Sequence, residues 1–300
     1  MQPPFPQPGQ PLPDPNDATW SRFGRRGFLT LLGGSLASCA SRGDSFTDLD
    51  NLPSGTLTHI NPQTQRVVPY NPSMRVSSNF SVDNADRTYR QTLAPGKFVA
   101  MTFDDGPHPE NTPRLLNILR ERNIKATFFV IGRSVEAYPH VVRRTVEEGH
   151  EIGNHTQTHR LLTSLGTSSL LWEMDACIRS VRNAAGVDMR VMRPPYGGLT
   201  QYQRQVVHQQ FGYPTILWSV DPLDWKNRVP SIVSSRIIQD THPGAIILAH
   251  DLHATTVAAM PYALDTLLYQ GYRFVTVSQL LAIHNHLASR ARLNPSVSNS

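Results

Sequence analysis

Cysteine is nearly absent from this chain: two residues in 300, Cys39 and Cys177. At most one disulfide can form, so no cross-linked framework holds the fold together. Charge is sparse as well. Charged residues make up 17% with a formal net charge of +5, and the basic ones are dispersed apart from short pairs such as Arg143-Arg144. A nucleic-acid surface clusters its cations on one face with aromatics between them, so no nucleic-acid partner is expected. There is no internal repeat. No apolar run is long enough to stay in a bilayer as a helix, since the longest near the N-terminus extends only from Phe28 to Ala37. What remains is 39% hydrophobic residues, enough for a proper core, in a length that suits one or two domains.

The N-terminal region is informative despite its shortness. Arg25-Arg26 precede the apolar run in "GRRGFLTLLGGSLASCA", the layout of an export signal. The stretch resembles the twin-arginine export motif, with Gly24 and Thr30 departing from the usual residues. "LASC" at 36–39 resembles the bacterial lipoprotein box, which implies lipidation of Cys39 and a membrane anchor without a transmembrane helix. The expected location is therefore export, with lipid anchoring to a bacterial membrane, in the periplasm or on the cell surface. A buried structural cysteine is the plainer reading of Cys39. Cys177 shares a stripe at helical spacing with Met174, Ile178 and Val181 and is read as core.

Residues 1–15 hold seven prolines and exclude a helix or central strand. Residues 1–39 thus read as a Pro-rich region plus signal, and 40–95, polar and aperiodic, as a spacer. From Lys97 the texture changes, and a working domain over 96–284 precedes a tail at 285–300. Short apolar runs recur at 97–103, 126–131, 150–153, 190–193, 215–220, 245–249 and 273–277, seven candidate strands. Helical patterns lie between them, among them 113–122, 140–148 ending at Gly149, and 168–183. Strand alternating with helix predicts an α/β fold of parallel βαβ units, here a distorted (β/α) barrel with about seven parallel strands.

The polar clusters follow the strands. "DDGPHP" comes after the first, "HTQTH" (155–159) after the third, "RPPYGG" (193–198) after the fourth, "DPLDW" (221–225) after the fifth, and "HD" (250–251) ends the sixth. All fall at C-terminal strand ends, where α/β barrels build their sites. His155 and His159 are four apart, so a helical turn would aim both imidazoles one way, and one added carboxylate makes a two-His, one-acid metal site. That spacing alone more often marks two surface histidines, and an Asp-rich turn is common before a helix. Neither reading explains why Asp104 and Asp105 stand side by side. A cation bound by one carboxylate relieves their repulsion and leaves the other as a base.

"TFDDGP", "HTQTH", "RPPYG", "DPLDW" and "ILAHD" resemble, in order, the five motifs of the polysaccharide deacetylases, carbohydrate esterase family four, also called the NodB-homology domain. The resemblance covers about 97–283. It implies Asp105, His155 and His159 as ligands of a divalent metal, usually zinc, with cobalt, nickel or manganese as alternatives. It implies Asp104 as general base, Arg193 as its partner, His250 as general acid and Asp224 as the residue that raises the His250 pKa. Tyr196 would offer its N–H to the developing oxyanion, while Trp225 and Leu248 would wall the acetyl pocket. His108, His253, His284 and His286 match no motif role. The function so implied is metal-dependent removal of acetyl groups from N-acetylglucosamine in an envelope or exported glycan: peptidoglycan, poly-N-acetylglucosamine or a chitin oligosaccharide. Two rivals stay open: a hydrolase of O-acetyl xylan or of a non-sugar amide, and a non-catalytic glycan-binding protein of the envelope. An iron oxygenase is disfavoured, because its triad puts an acid two residues after a histidine.

Overall fold

The structure, a computed structural model, describes residues 58–60, 67–69, 87–94 and 96–293. The chain divides into two units, Met1–Val76 and Ser77–Ser300. In the first, strands β1 (Thr58–Ile60) and β2 (Val67–Pro69) form an antiparallel pair with His59 opposite Val68. The expected export signal and Cys39 lie outside the described residues.

The second unit alternates strand and helix. In chain order it contains β3 (Thr88–Tyr89), β4 (Phe98–Asp104), α1 (Asn111–Glu121), β5 (Thr127–Val130), α2 (Gly132–Ala137), α3 (Pro139–Glu147), β6 (Glu151–Asn154) and α4 (Thr167–Ala185). It continues with α5 (Gln201–Phe211), β7 (Thr215–Ile216), α6 (Pro230–Asp240), β8 (Ile246–Ile247), α7 (Ala254–Tyr269), β9 (Arg273–Phe274) and α8 (Val277–Leu293). Local chemistry sets many of these limits. Pro139 opens α3, where its missing N–H costs nothing, and Gly149 follows its end at φ 79°. At α5, Thr200 and Gln203 form a reciprocal capping box, and Gly212 takes φ 73° past its end.

Among the described residues of the second unit every strand pairing is parallel, save one antiparallel bridge, Gln91 to Ala245. β4 pairs with β5, β5 with β6, Asn154 with Met192 and Met192 with Thr215. Val220 then pairs with Ile247, and β8 and β9 return to β4 at Ala100 and Phe98. The pairings thus run round a distorted (β/α) barrel. Several expected strands are shorter than their apolar runs. Runs 245–249 and 273–277 keep ladders of two residues. Residues 215–220 keep a ladder of two and a bridge at Val220, and 190–193 only the bridge at Met192. Pro194, Pro195 and Pro214 flank the last two segments and remove ladder donors.

β4 shows how the sequence alternates between two environments. Val99, Met101 and Phe103 pack outward into the cluster shared with the helices, including Leu115, Leu116, Met174 and Val257. Ala100 packs inward with Phe129, Val191, Ile216, Ile246 and Val275, and Leu280 and Leu281 of α8 join this inner cluster. Cys177 is buried, unpaired and in the outer cluster; burial pushes its thiol up to about 12, which makes it inert.

Both domain limits read from the sequence fall inside packed structure. Residues 87–94 belong with the barrel: β3 pairs with β7, and Thr92 N–H donates to Gly244 O at 2.9 Å. Leu93 N–H donates to His284 Nδ1 at 3.0 Å, and α8 runs on to Leu293. The apolar-run criterion missed 87–94 because its apolar residues, Tyr89, Leu93 and Ala94, are packed but too few and too scattered among polar ones to make a run. Gly244 permits this docking, since it sits at φ +80° and a Cβ there would stand 2.1 Å from Thr92 O. Gly244→Ala is therefore expected to lower stability by about 2–4 kcal/mol in chemical denaturation, combining the left-handed cost with the clash. A midpoint equal to that of the native chain would refute the docking of 87–94.

Candidate active site

The motif segments meet at the C-terminal ends of the strands. Asp104 ends β4, His155 follows β6, Arg193 follows the Met192 bridge, and His250 follows β8. Among the described residues seven non-glycine residues have positive φ, and five lie in these loops: Asp105, Thr156, His159, Tyr196 and Leu223. Such backbone is held only where surroundings over-determine it, and it concentrates at functional sites.

At the centre is a buried ion pair. Arg193 is 0% exposed and donates from Nη1 to Asp104 Oδ1 at 2.7 Å. The same nitrogen reaches Thr102 Oγ1 at 2.7 Å, Nε reaches Ile216 O at 3.2 Å and Nη2 reaches Leu217 O at 3.1 Å. Its guanidinium carbon lies 4.2 Å from the Phe129 ring centroid. Burial pulls the Arg193 pKa down, and the Asp104 charge opposes it. A fork so fully committed holds the Asp104 carboxylate in one orientation.

Beside it, His155 Nε2 is 3.3 Å and His159 Nε2 3.1 Å from one oxygen, Asp105 Oδ1. These are the atoms that the sequence assigns to a metal, and all lie within 4.8 Å of one another. The helical-turn argument for His155 and His159 does not hold. Residues 155–159 are irregular, with Thr156 at φ 68° and His159 at φ 59°, and the imidazoles converge through left-handed backbone. The donor set suits a cation. His155 Nδ1 lies 2.7 Å from Arg193 O, so the proton belongs on Nδ1 and the Nε2 lone pair faces Asp105. Asp105 Oδ1 is buried and has no hydrogen-bond partner. Burial alone would raise the Asp105 pKa, but its contacts with His155 and His159 outweigh burial and hold it far below the usual carboxylate range. Burial likewise opposes charge on His155, yet Asp104 and Asp105 raise its pKa. The cluster thus collects positive charge, a proton or a metal, and two nitrogens plus one carboxylate match zinc-type ligation.

Facing this cluster is a second carboxylate–imidazole pair. Asp224 Oδ1 lies 2.8 Å from His250 Nδ1, and Oδ2 accepts from His250 N–H and Thr256 Oγ1, each at 2.8 Å. Burial pulls the His250 pKa down, but the Asp224 hydrogen bond and charge push it up to about 9. Asp224 itself is shifted down: burial raises it, and the contacts with His250 outweigh that.

The expected substrate-facing residues divide. Tyr196 is 71% exposed, at φ 60°, with its ring edge-on to His159 at 4.9 Å. Trp225 is 51% exposed, whereas Leu248 is buried, with its N–H bonded to Val220 O. His253 is 6.1 Å from His250 ring to ring; burial and the Arg228 charge push it down to about 4, so it is neutral near pH 7. Sequence reasoning missed Thr102, Thr256 and Asp251. Asp251 accepts from Thr112 Oγ1, and burial with the nearby Asp105 charge pushes it up to about 7. The side-by-side "HD" hinted at Asp251, while nothing local singled out the two threonines.

The polysaccharide deacetylase family model matches residues 92–216. A peptidoglycan-N-acetylglucosamine deacetylase, PgdA, of Listeria monocytogenes is 41% identical over 184 residues, 61% of this chain and 39% of the relative. This chain therefore spans about two fifths of that relative's length. A peptidoglycan-N-acetylglucosamine deacetylase of Bacillus cereus is 38% identical, covering 62% of this chain and 88% of the relative. Among solved structures, the peptidoglycan deacetylase PdaC from Bacillus subtilis aligns with TM-score 0.62 at 36% identity, over 66% of this chain and 96% of that one. With the motif loops on one barrel rim and relatives matched over most of their length, this chain belongs to the polysaccharide deacetylase family.

Proposed function

We propose that this protein is a metal-dependent deacetylase that hydrolyses the N-acetyl amide of N-acetylglucosamine units in a cell-envelope glycan, with peptidoglycan as the favoured substrate. The observation that carries this reading is the convergence of Asp105, His155 and His159 on one point, between an Arg193-held Asp104 and an Asp224-held His250. The names of the relatives support the substrate class.

In this reading Asp105, His155 and His159 hold a divalent cation, with zinc favoured by the nitrogen-rich donor set. When bound there, such a cation would polarise the acetyl carbonyl and lower the pKa of water. Asp104 takes the proton from the attacking water, and Arg193 keeps that carboxylate aimed. The Tyr196 N–H stabilises charge developing on the acetyl oxygen; the residue holds left-handed backbone next to His159. His250 protonates the leaving sugar nitrogen; Asp224 binds its Nδ1 and leaves Nε2 to deliver the proton. Trp225 offers an exposed aromatic face to the sugar and Leu248 closes the methyl pocket from within.

We further propose that residues 1–39 direct export, that Cys39 carries the lipid anchor, and that the chain from 40 to the barrel at residue 87 is a tether. Envelope placement fits a glycan substrate. Cys39→Ala is then expected to move the protein from the membrane fraction to the soluble one, and retention would overturn the anchor.

Acetate release from chito-oligosaccharides and peptidoglycan, measured in parallel with metal content, tests the assignment. Asp104→Asn should keep the metal and lose about 10²–10⁴-fold in turnover. His155→Ala should lose both; equal metal loss in the two variants would reverse the roles of Asp104 and Asp105. The acid has its own signature. A general acid acts while protonated, so turnover falls as pH rises through its pKa, raised here to about 9. Asp224→Asn withdraws the charge that holds the proton, so the alkaline limb of the pH–rate profile should move down by about one unit or more. An unmoved limb would remove His250 as the acid.

A further inference from the structure

The loop that carries both histidines is neither helix nor strand, and its peptide groups cannot satisfy one another. Val130 O, Asn154 Oδ1 and Thr156 Oγ1 take the N–H groups of His155, Thr156 and His159, and two neighbours supply further partners. From one side, the first turn of α2 donates, Gly132 N–H to Thr156 O at 2.9 Å and Arg133 N–H to Gln157 O at 3.0 Å. From the other comes Glu173 of α4, 1% exposed. Its Oε2 accepts from Gln157 N–H at 3.0 Å and Thr158 N–H at 2.8 Å, and its Oε1 accepts from the Thr158 hydroxyl. All three donors lie between His155 and His159. The Gln157 side chain is fixed too, donating to Glu136 Oε1 at 2.9 Å and accepting from Ser180 at 3.2 Å.

We propose that Glu173 is a positioning residue for the metal site. It pins the Gln157 and Thr158 peptides and so sets where His155 and His159 present Nε2 to Asp105. A buried carboxylate is costly unless its oxygens are bonded, and here the loop does the bonding. Without those acceptors the Gln157 and Thr158 N–H groups lose their partners, and α4 then holds the loop only through Ser180 on the Gln157 side chain and Met174 O on the Asn154 amide, whose Oδ1 takes the Thr156 N–H. Residues behind metal ligands act on affinity in this way. The inference rests on reading Asp105, His155 and His159 as a cation site.

Zinc affinity of the full chain, by competition with a chromophoric chelator, provides the test. Glu173→Leu fills the space but accepts nothing and should weaken zinc binding by about 10–100-fold. Glu173→Gln should restore affinity to within a few-fold of native, because its amide oxygen still accepts both N–H groups while its NH₂ meets the Thr158 hydroxyl. Leu170→Ala on the same helix controls for lost packing and should leave affinity unchanged. Should Glu173→Leu fail to fold, Glu173→Asp, one methylene short, should still lose at least several-fold. Native affinity in Glu173→Leu or Glu173→Asp, or an equal loss in Leu170→Ala, would overturn the proposal. No zinc binding by the native protein would instead remove the cation site itself, and this inference with it.

Discussion

A guanidinium with no access to water needs full compensation, and that constraint organises this molecule. Arg193 spends its nitrogens on Asp104, Thr102 and the carbonyls of Ile216 and Leu217, with Phe129 beneath it. Those partners come from β4, β5 and β7, so the guanidinium ties together strands far apart in sequence. Removing one partner of such a buried pair typically costs about 3–5 kcal/mol, because the other charge is stranded. Asp104 is therefore both a fold element and the proposed base. The backbone of Arg193 serves too, since its carbonyl meets His155 Nδ1 and aims the far side of that imidazole at Asp105.

The site spends stability in order to be specific. Two carboxylates adjoin, two imidazoles crowd one oxygen, and five residues hold left-handed backbone. Each feature is unfavourable alone. They coexist because each charge has a holder one layer out: Arg193 for Asp104, Asp224 for His250, and Glu173 for the histidine loop. Those holders are buried, whereas Tyr196 and Trp225 are exposed to solvent.

Much of this was legible before any coordinates. The apolar runs located the strands, the strand ends located the chemistry, and Asp104-Asp105 beside His155 and His159 pointed to a cation. The roles of Arg193, Asp224 and His250 came only through resemblance to the family, since a single arginine or histidine after a strand is unremarkable. The helical-turn rationale for His155 and His159 failed although the pairing held, because left-handed residues can bring together side chains four apart as a helix does. The domain limits at 96 and 284 missed flanking segments tied by bonded backbone, by His284 and by a few scattered apolar residues, features without periodicity.

The sequence by itself determined what is local: which runs are apolar enough to become buried strands, which residues end them, and which chemical groups stand there. Tertiary structure alone decided which of those groups meet. Arg193 and Asp104 are 89 residues apart, Asp224 and His250 are 26 apart, and the donors to Glu173 come from 15 and 16 residues before it. Periodicity and propensity act over a few residues, whereas a buried polar group takes its partner from whatever the closed barrel brings within 3 Å. That choice is made when the strands close round the core, and it leaves no mark on the chain near either partner.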